Sequence, residues 1–203
     1  MRVAAGDRSL AFDGGLVAAQ AEFFEAIRWG PTHWLVEKWS EEACSFVRRK
    51  LALDAQKQIP SALLRKLIGE AEETEEAIGN ILLNAGIQRM EDVLLGVVTT
   101  NLFTNGNSRL GVGDSTTAEA ASQTDLQAAT NKTYVAMNAT YPSRSGQVVS
   151  FQADFGTAVA NYAWQEFITD NGATNRACLN RKVTSLGTKA SGTWTLTETI
   201  TLS

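Results

Sequence analysis

Histidine occurs once in the 203 residues, at His33, cysteine twice, at Cys44 and Cys178, and proline three times. A single histidine leaves no set for a multi-histidine zinc site, and a nucleophile–base–acid arrangement would have to use His33 itself. Placed between Pro31 and Trp34, His33 reads instead as a residue at a helix start. Cys44 and Cys178 show no metal or redox spacing and read as two separate buried thiols. No apolar run approaches the ~20 residues of a membrane span, and "MRVAAGDRSL" lacks the apolar stretch of an export signal, so neither a membrane partner nor signal-directed export is expected. The net charge of −4 and pI near 5.1 argue against a nucleic-acid surface. "LGVGDST" has two glycines but neither the third of a dinucleotide loop nor a Gly-Lys-Ser/Thr step. Its glycines read as a tight strand exit. Asp114, Asp125, Asp154, Glu166 and Asp170 lack the spacing of a calcium loop. No catalytic residue, cofactor or metal ligand is assigned on these grounds.

The two halves differ in character. Residues 1–100 hold 26 of the 40 charged side chains, and residues 101–203 hold 14. The first half is rich in Ala, Leu, Glu and Arg, the second in Thr, Ser, Asn and Gly. The turn-rich "TTNLFTNGNSR" at 99–109 marks the boundary. Helical spacing runs through "GGLVAAQAEFFEAIRWGP", with Leu16, Phe23, Phe24 and Ile27 on one side and Gly30-Pro31 as the stop. Thr32 caps a next helix carrying Leu35, Trp39, Ala43, Phe46 and Val47. Pro60 opens another, with Leu63, Leu64, Leu67 and Ile68. "EAEETEEA" reads as a solvated acidic face or helix N-terminal turn. Ile78, Ile81, Leu82 and Ala85 continue the helical pattern into "IQRMEDVLLG".

After residue 109 the period changes to two. "RLGVGD", "TYVAMNATYP", "QVVSFQADFG", "NYAWQEFITDNG", "RACLNRKV" and "TWTLTETITLS" read as strands separated by Gly, Pro and Asn turns. The expectation is an α+β chain: an N-terminal helical region over residues 1–98, followed by an antiparallel β-sandwich over 109–203. Five threonines at 193, 195, 197, 199 and 201 alternate with Trp194, Leu196, Ile200 and Leu202, which predicts a half-buried strand inside the sheet. Glu198 breaks the apolar side, as Glu166 does beside Tyr162 and Trp164. Buried unpaired carboxylates are unfavourable. Structural ion pairs are therefore expected among Glu166, Arg181, Lys182 and Glu198, with Arg176 as a further candidate cation and Arg181 or Lys182 nearest to Glu198; the alternative is that at least one carboxylate lies solvated at the rim of the sheet. A carboxylate pair for glycoside hydrolysis is the lesser reading. Trp29, Trp34 and Trp39 crowd one short stretch without sharing a helical face, which predicts that at least one contacts another chain.

"LLNAGIQRMEDVLLG", "RLGVGDSTTAEAASQTDLQAA", "VSFQADFGTAVANYAWQEF", "LNRKV-TSLGTK" and the closing Thr-rich strand, taken in order over roughly residues 80–203, resemble a group of tailed-bacteriophage virion proteins. The resemblance implies a structural β-domain with no catalytic residues to carry over. It makes Asp125, Glu166 and Arg181 polar residues that hydrogen-bond or pair within the fold. The expected role is a capsid decoration or cement protein, assembled into the virion in the host cytoplasm. Its partners would be the major capsid protein or other virion proteins, and itself as a homo-oligomer, with a trimer on a symmetry axis favoured. A tail or fibre component is the alternative, and a carbohydrate-binding domain a lesser one.

Overall fold

The computed structural model describes residues 30–98, 100–172 and 176–202. Their fold is mostly β, with two antiparallel five-stranded sheets and three short helices. The strands are β1 (His33–Trp39), β2 (Glu73–Ile78), β3 (Ile81–Leu82), β4 (Arg109–Gly113), β5 (Lys132–Ala136), β6 (Ser143–Ser145), β7 (Val148–Phe155), β8 (Glu166–Asp170), β9 (Cys178–Val183) and β10 (Thr193–Thr201). The helices are α1 (Glu41–Lys50), α2 (Ser61–Leu67) and α3 (Asn84–Leu94). The first sheet has the order β2-β1-β10-β7-β6, and the second β3-β9-β8-β4-β5.

One core joins the sheets. Trp34 and Val36 of β1, Phe151, Ala153 and Phe155 of β7, and Trp194, Leu196 and Ile200 of β10 meet Leu110 and Val112 of β4, Phe167 of β8 and Leu179 of β9. These residues alternate along their strands because successive side chains leave opposite faces. Trp164 sits among them, edge-on to Phe155 and Trp194 with ring centroids 4.8 and 4.9 Å away. Such tilted aromatic contacts add to the stabilisation from burial alone.

The helical reading of the first half is corrected within the described residues. The stretch 33–39 is a strand, pairing β10 on one side and β2 on the other. Trp34 and Val36 face the inter-sheet core, while Trp39 faces the helices. The i, i+4 spacing of Leu35, Trp39 and Ala43 mimicked a helix, but β-branched and aromatic residues on a period of two fit the strand better. His33 thus opens a strand, with Nδ1 3.0 Å from Glu76 Oε1. The helix begins only at Glu41. Ser40 Oγ accepts from Ala43 N at 3.2 Å, Glu41 and Glu42 occupy the first turn, and Arg48, Arg49 and Lys50 the last. This arrangement satisfies an end N–H and suits the helix dipole. The expected helix within "GGLVAAQAEFFEAIRWGP" falls largely outside the described residues.

Pro60 does precede a helix, α2. The acidic stretch is not helical: Glu73, Thr74, Glu75 and Glu76 are exposed on edge strand β2. A charged edge discourages pairing with further strands. At Gly79-Asn80 the chain passes from β2 in the first sheet to β3 in the second. The composition boundary at 99–109 therefore has strands of both sheets on either side of it.

The outer face of the first sheet is covered at one end by α1 and α2, through Trp39, Ala43, Cys44, Val47, Ile59 and Leu64. Under them Thr193 and Thr195 are buried, whereas Thr197, Thr199 and Thr201 are half-buried further along β10. The threonine side of β10, opposite Trp194, Leu196 and Ile200, is thus partly roofed by the helices. The two thiols are free and buried, Cys44 at Thr193 Oγ1 (3.4 Å) and Cys178 at the Thr124 carbonyl (3.0 Å). Burial pushes the Cys178 thiol up to about 12.

Helix α3 lies against β9 at Gly86, where an added Cβ would fall 2.5 Å from Leu179 O and 2.6 Å from Leu179 Cα. Both are backbone atoms of a central element, so the helix itself would have to move. Gly86→Ala is expected to destabilise the protein by about 1–3 kcal/mol, the usual range for overpacking. Urea unfolding of the two proteins measures this, and an unchanged midpoint would show that the helix is not seated so closely.

Candidate functional site

Glu166 and Arg181 start from neighbouring antiparallel strands, and both point to the outer side of the second sheet. Arg181 Nε and Nη2 donate to Glu166 Oε2 at 3.0 and 2.7 Å, with both side chains fully buried. The remaining capacity of each group goes to the loop between β4 and β5. Gln127 N and Ala128 N donate to the two Glu166 oxygens at 2.8 and 2.7 Å. Arg181 donates to Gln123 Oε1 and to the Thr117 carbonyl, each at 3.0 Å. A buried ion pair is tolerated when its other lone pairs and protons are satisfied in this way. Gly113 makes room for it: a Cβ there would lie 2.4 Å from Glu166 Oε1. The glycines of "LGVGD" therefore serve close approach across β4, not the strand exit expected of them.

The same loop brings Leu126 onto Ile168, beside Leu83 and Cys178, as a small apolar cluster on this outer face. Next to it lies a charged cluster. Asp125 accepts from Lys132 Nζ at 2.9 Å, from Arg176 at 2.8 Å and from the Tyr134 hydroxyl. The Tyr134 ring has Arg109 4.9 Å and Arg176 5.1 Å from its centroid. Arg109 also holds Asp170 through two bonds of 3.0 and 2.7 Å. Burial raises the Asp125 pKa, but the bonds from Tyr134, Lys132 and Arg176 outweigh it and hold the carboxyl at about 2. Burial, reinforced by the bond to Asp125, raises the Tyr134 phenol well above its usual value.

Glu198 is also fully buried, but on the inner side. Its carboxyl bonds to Thr169 Oγ1 and Asn180 Nδ2. Neither Arg181 nor Lys182 reaches it, which corrects the expected pairing. The reason is strand alternation combined with a bulge. The β8–β9 register pairs Thr169 with Asn180 but Asp170 with Cys178, leaving Leu179 as the extra residue. Leu179 and Asn180 consequently both turn inward, and Arg181 turns outward to Glu166. Lys182 is half-buried and joins no ion pair in the described structure. The Glu166 side chain does not share a face with Trp164 either. Strand β8 begins only at Glu166, and Trp164 reaches the core from the preceding segment, its backbone N–H donating to the Gly187 carbonyl and its indole N–H to the Ala160 carbonyl.

Two of the three tryptophans among which a contact to another chain was expected are buried within the chain. Trp34 is buried in the inter-sheet core and Trp39 under the helices, on opposite faces of β1. Trp29 lies outside the described residues. The five carboxylates weighed for calcium are dispersed. Asp114 accepts from Asn131, Asp154 from Ser61 N and Thr195, and Asp125, Glu166 and Asp170 from the groups named above. Among the described residues no group of three or more His, Cys, Asp or Glu could hold a metal ion. A cleft of about 620 Å³, walled by Lys57, Pro60, Arg65, Asn138 and Tyr141, has Gln152 and Asp154 in its floor. These polar groups are paired internally: Gln152 with Asn138 and Thr197, Asp154 as above, and Arg65 with Glu37. Neither Glu166 nor Glu198 lines it, so the cleft does not contain the two carboxylates considered for sugar hydrolysis.

Sequence reasoning missed Thr169 and Asn180 as partners of Glu198, and Tyr134 as the ring between two arginines. The "N-R" pair carried the only signal, with Asn180 and Arg181 each binding a different buried carboxylate. Compared with known families, curated proteins and solved structures, the chain matches none.

Arg181→Met would leave Glu166 buried without its cation. A loss of about 3–5 kcal/mol is expected, as for other broken buried pairs, together with faster protease cleavage within residues 115–131. Replacing both residues by Met should restore much of the loss. A single variant as stable as the parent, with an uncut loop, would remove the pair as the anchor of this face.

Proposed function

We propose that the protein is a non-enzymatic structural component of a bacteriophage virion, a decoration or cement protein of the head surface. In this reading the two sheets are the layers of a β-sandwich, and the helix-bearing first half, residues 1–98, supplies the docking region toward the particle. The protein acts as a homo-oligomer, a trimer on a symmetry axis, with the major capsid protein as its main partner.

The observation that carries this reading is the connectedness of the resembling motifs. Glu166 of the "W-Q-E" step and Arg181 of "N-R" share one buried hydrogen-bond network with Gln127 and Ala128, the residues just after the "TDL" turn, and Gly113 of "GVGD" leaves room for the Glu166 carboxyl, although these stretches are far apart in sequence. Several of the stretches on which the resemblance rests thus meet on one face of this fold. A second support is the apolar end of α3 and the turn after it. Val93, Leu94, Leu95 and Val97 are 46, 85, 74 and 69% exposed. Contiguous exposed aliphatics of this kind mark assembly surfaces.

Two measurements test the proposal. Sedimentation of the purified chain should give about 66 kDa, three times the 21.9 kDa monomer; a monomer at micromolar concentration would sink the oligomer. Quantitative mass spectrometry of purified particles should find the chain in numbers comparable to the major capsid protein. A few copies per particle would move it to the tail or a fibre, and its absence from particles would end the virion reading.

A further inference from the structure

The inner side of β10 carries one ionisable group in an otherwise apolar row, Glu198 between Leu196 and Ile200. Its strand neighbours are Trp34 of β1 and Phe151 of β7. Across the core it meets Thr169 of β8 and Asn180 of β9, one carboxyl oxygen to each. It is therefore the polar link between the centre of the first sheet and the centre of the second.

We propose that Glu198 is a pH-sensitive latch between the two sheets, closed when its carboxyl is protonated and loosened when it ionises. The geometry favours the neutral acid. Glu198 is fully buried, and both of its partners are neutral. Most charged groups on the elements around it are engaged elsewhere, Arg181 with Glu166, Asp170 with Arg109 and Arg176, Lys38 with Glu73 and Glu75, and Asp154 with Ser61 N and Thr195; Lys182, on the same side of β9 as Asn180, is half-buried and makes no ion pair with Glu198. A hydroxyl such as Thr169 can donate to a carboxylate or accept from a carboxylic acid, so the contact survives protonation. Asn180 Oδ1, a buried acceptor, has no hydrogen-bond partner. The pocket thus offers an unused acceptor, which an acid proton suits and a second negative charge does not.

Burial, opposed only by the bonds from Thr169 and Asn180, pushes the Glu198 pKa up to about 7 from 4.5. The sign of the linkage follows. Below 4.5 the carboxyl is protonated in the folded and unfolded chain alike, and it gives no pH dependence. Between 4.5 and 7 the unfolded chain ionises while the folded one keeps its proton, so stability falls as pH rises. Above 7 both forms are ionised and the loss is complete. The folding constant should drop about tenfold per pH unit across this window, on the order of 300-fold in all.

The test compares the full chain with Glu198→Gln, which keeps the shape and cannot ionise. Urea unfolding at pH 4.5 and pH 8 should show the variant gaining on the order of 100-fold in relative folding constant over the wild type between the two values. A ratio that does not change with pH overturns the latch. Should the variant fail to fold, the wild type alone decides by carbon-13 NMR of its side-chain carboxyls. One buried carboxyl titrating with a midpoint near 7 is expected, with amide exchange on β8 and β10 accelerating above it. If every carboxyl titrates in the ordinary range, the proposal fails.

Discussion

Strand β10 lies between β1 and β7, and the first sheet depends on it. Its inner side chains Trp194, Leu196 and Ile200 enter the inter-sheet core, and its outer threonines begin under the helices and end half-exposed. Because the side-chain period is two, a one-residue slip in either pairing would turn Trp194 outward and put threonines in the core. The register is therefore fixed by burial on both sides of the strand. It also ties residues 33–39 to residues 193–199, so the first sheet closes only when segments from opposite ends of the sequence have met.

Around that core, buried polar groups are handled in three different ways. Glu166 is neutralised by Arg181, and the pair fastens a loop to the outer face of the second sheet. Glu198 has no cation and relies on neutral partners. Lys189 is the converse case, a buried amine held by the Gly156 carbonyl at 2.8 Å and Asn161 Oδ1 at 2.7 Å, and burial lowers its pKa to about 8. In the first arrangement each charge compensates the other, whereas the last two leave a group whose protonation changes within the neutral range. For the two carboxylates the contrast follows from which face of its strand each occupies.

The outer faces differ as well. Helices α1 and α2 roof one end of the first sheet with aliphatic side chains and Trp39. The second sheet is roofed by the β4–β5 loop and the start of α3, through Leu126 and Leu83. That loop carries little regular structure of its own, so its position rests on side-chain bonds to Glu166 and Arg181. The end of α3 is left with exposed leucines and valines, in keeping with a protein proposed to function within an assembly.

The strands after residue 109 and the helix following Pro60 were legible in the sequence, because period-two alternation, turn residues and Pro at a helix start act locally. The inward direction of Trp194, Leu196, Glu198 and Ile200 was legible for the same reason. The identity of 33–39 was not, since the i, i+4 spacing of Leu35, Trp39 and Ala43 overlies a period-two pattern of Trp34 and Val36 in the same seven residues. Only pairing with β10 and β2 decided it, and with it the burial of Trp34 and Trp39. The partner of Glu198 was beyond local reasoning too. A single bulge at Leu179 turns Asn180 inward and Arg181 outward, and a bulge is a property of two strands in register. What the sequence determined by itself was the alternation of most strands after residue 109; which alternating face met which was decided by tertiary structure, because pairing energies arise only between segments distant along the chain.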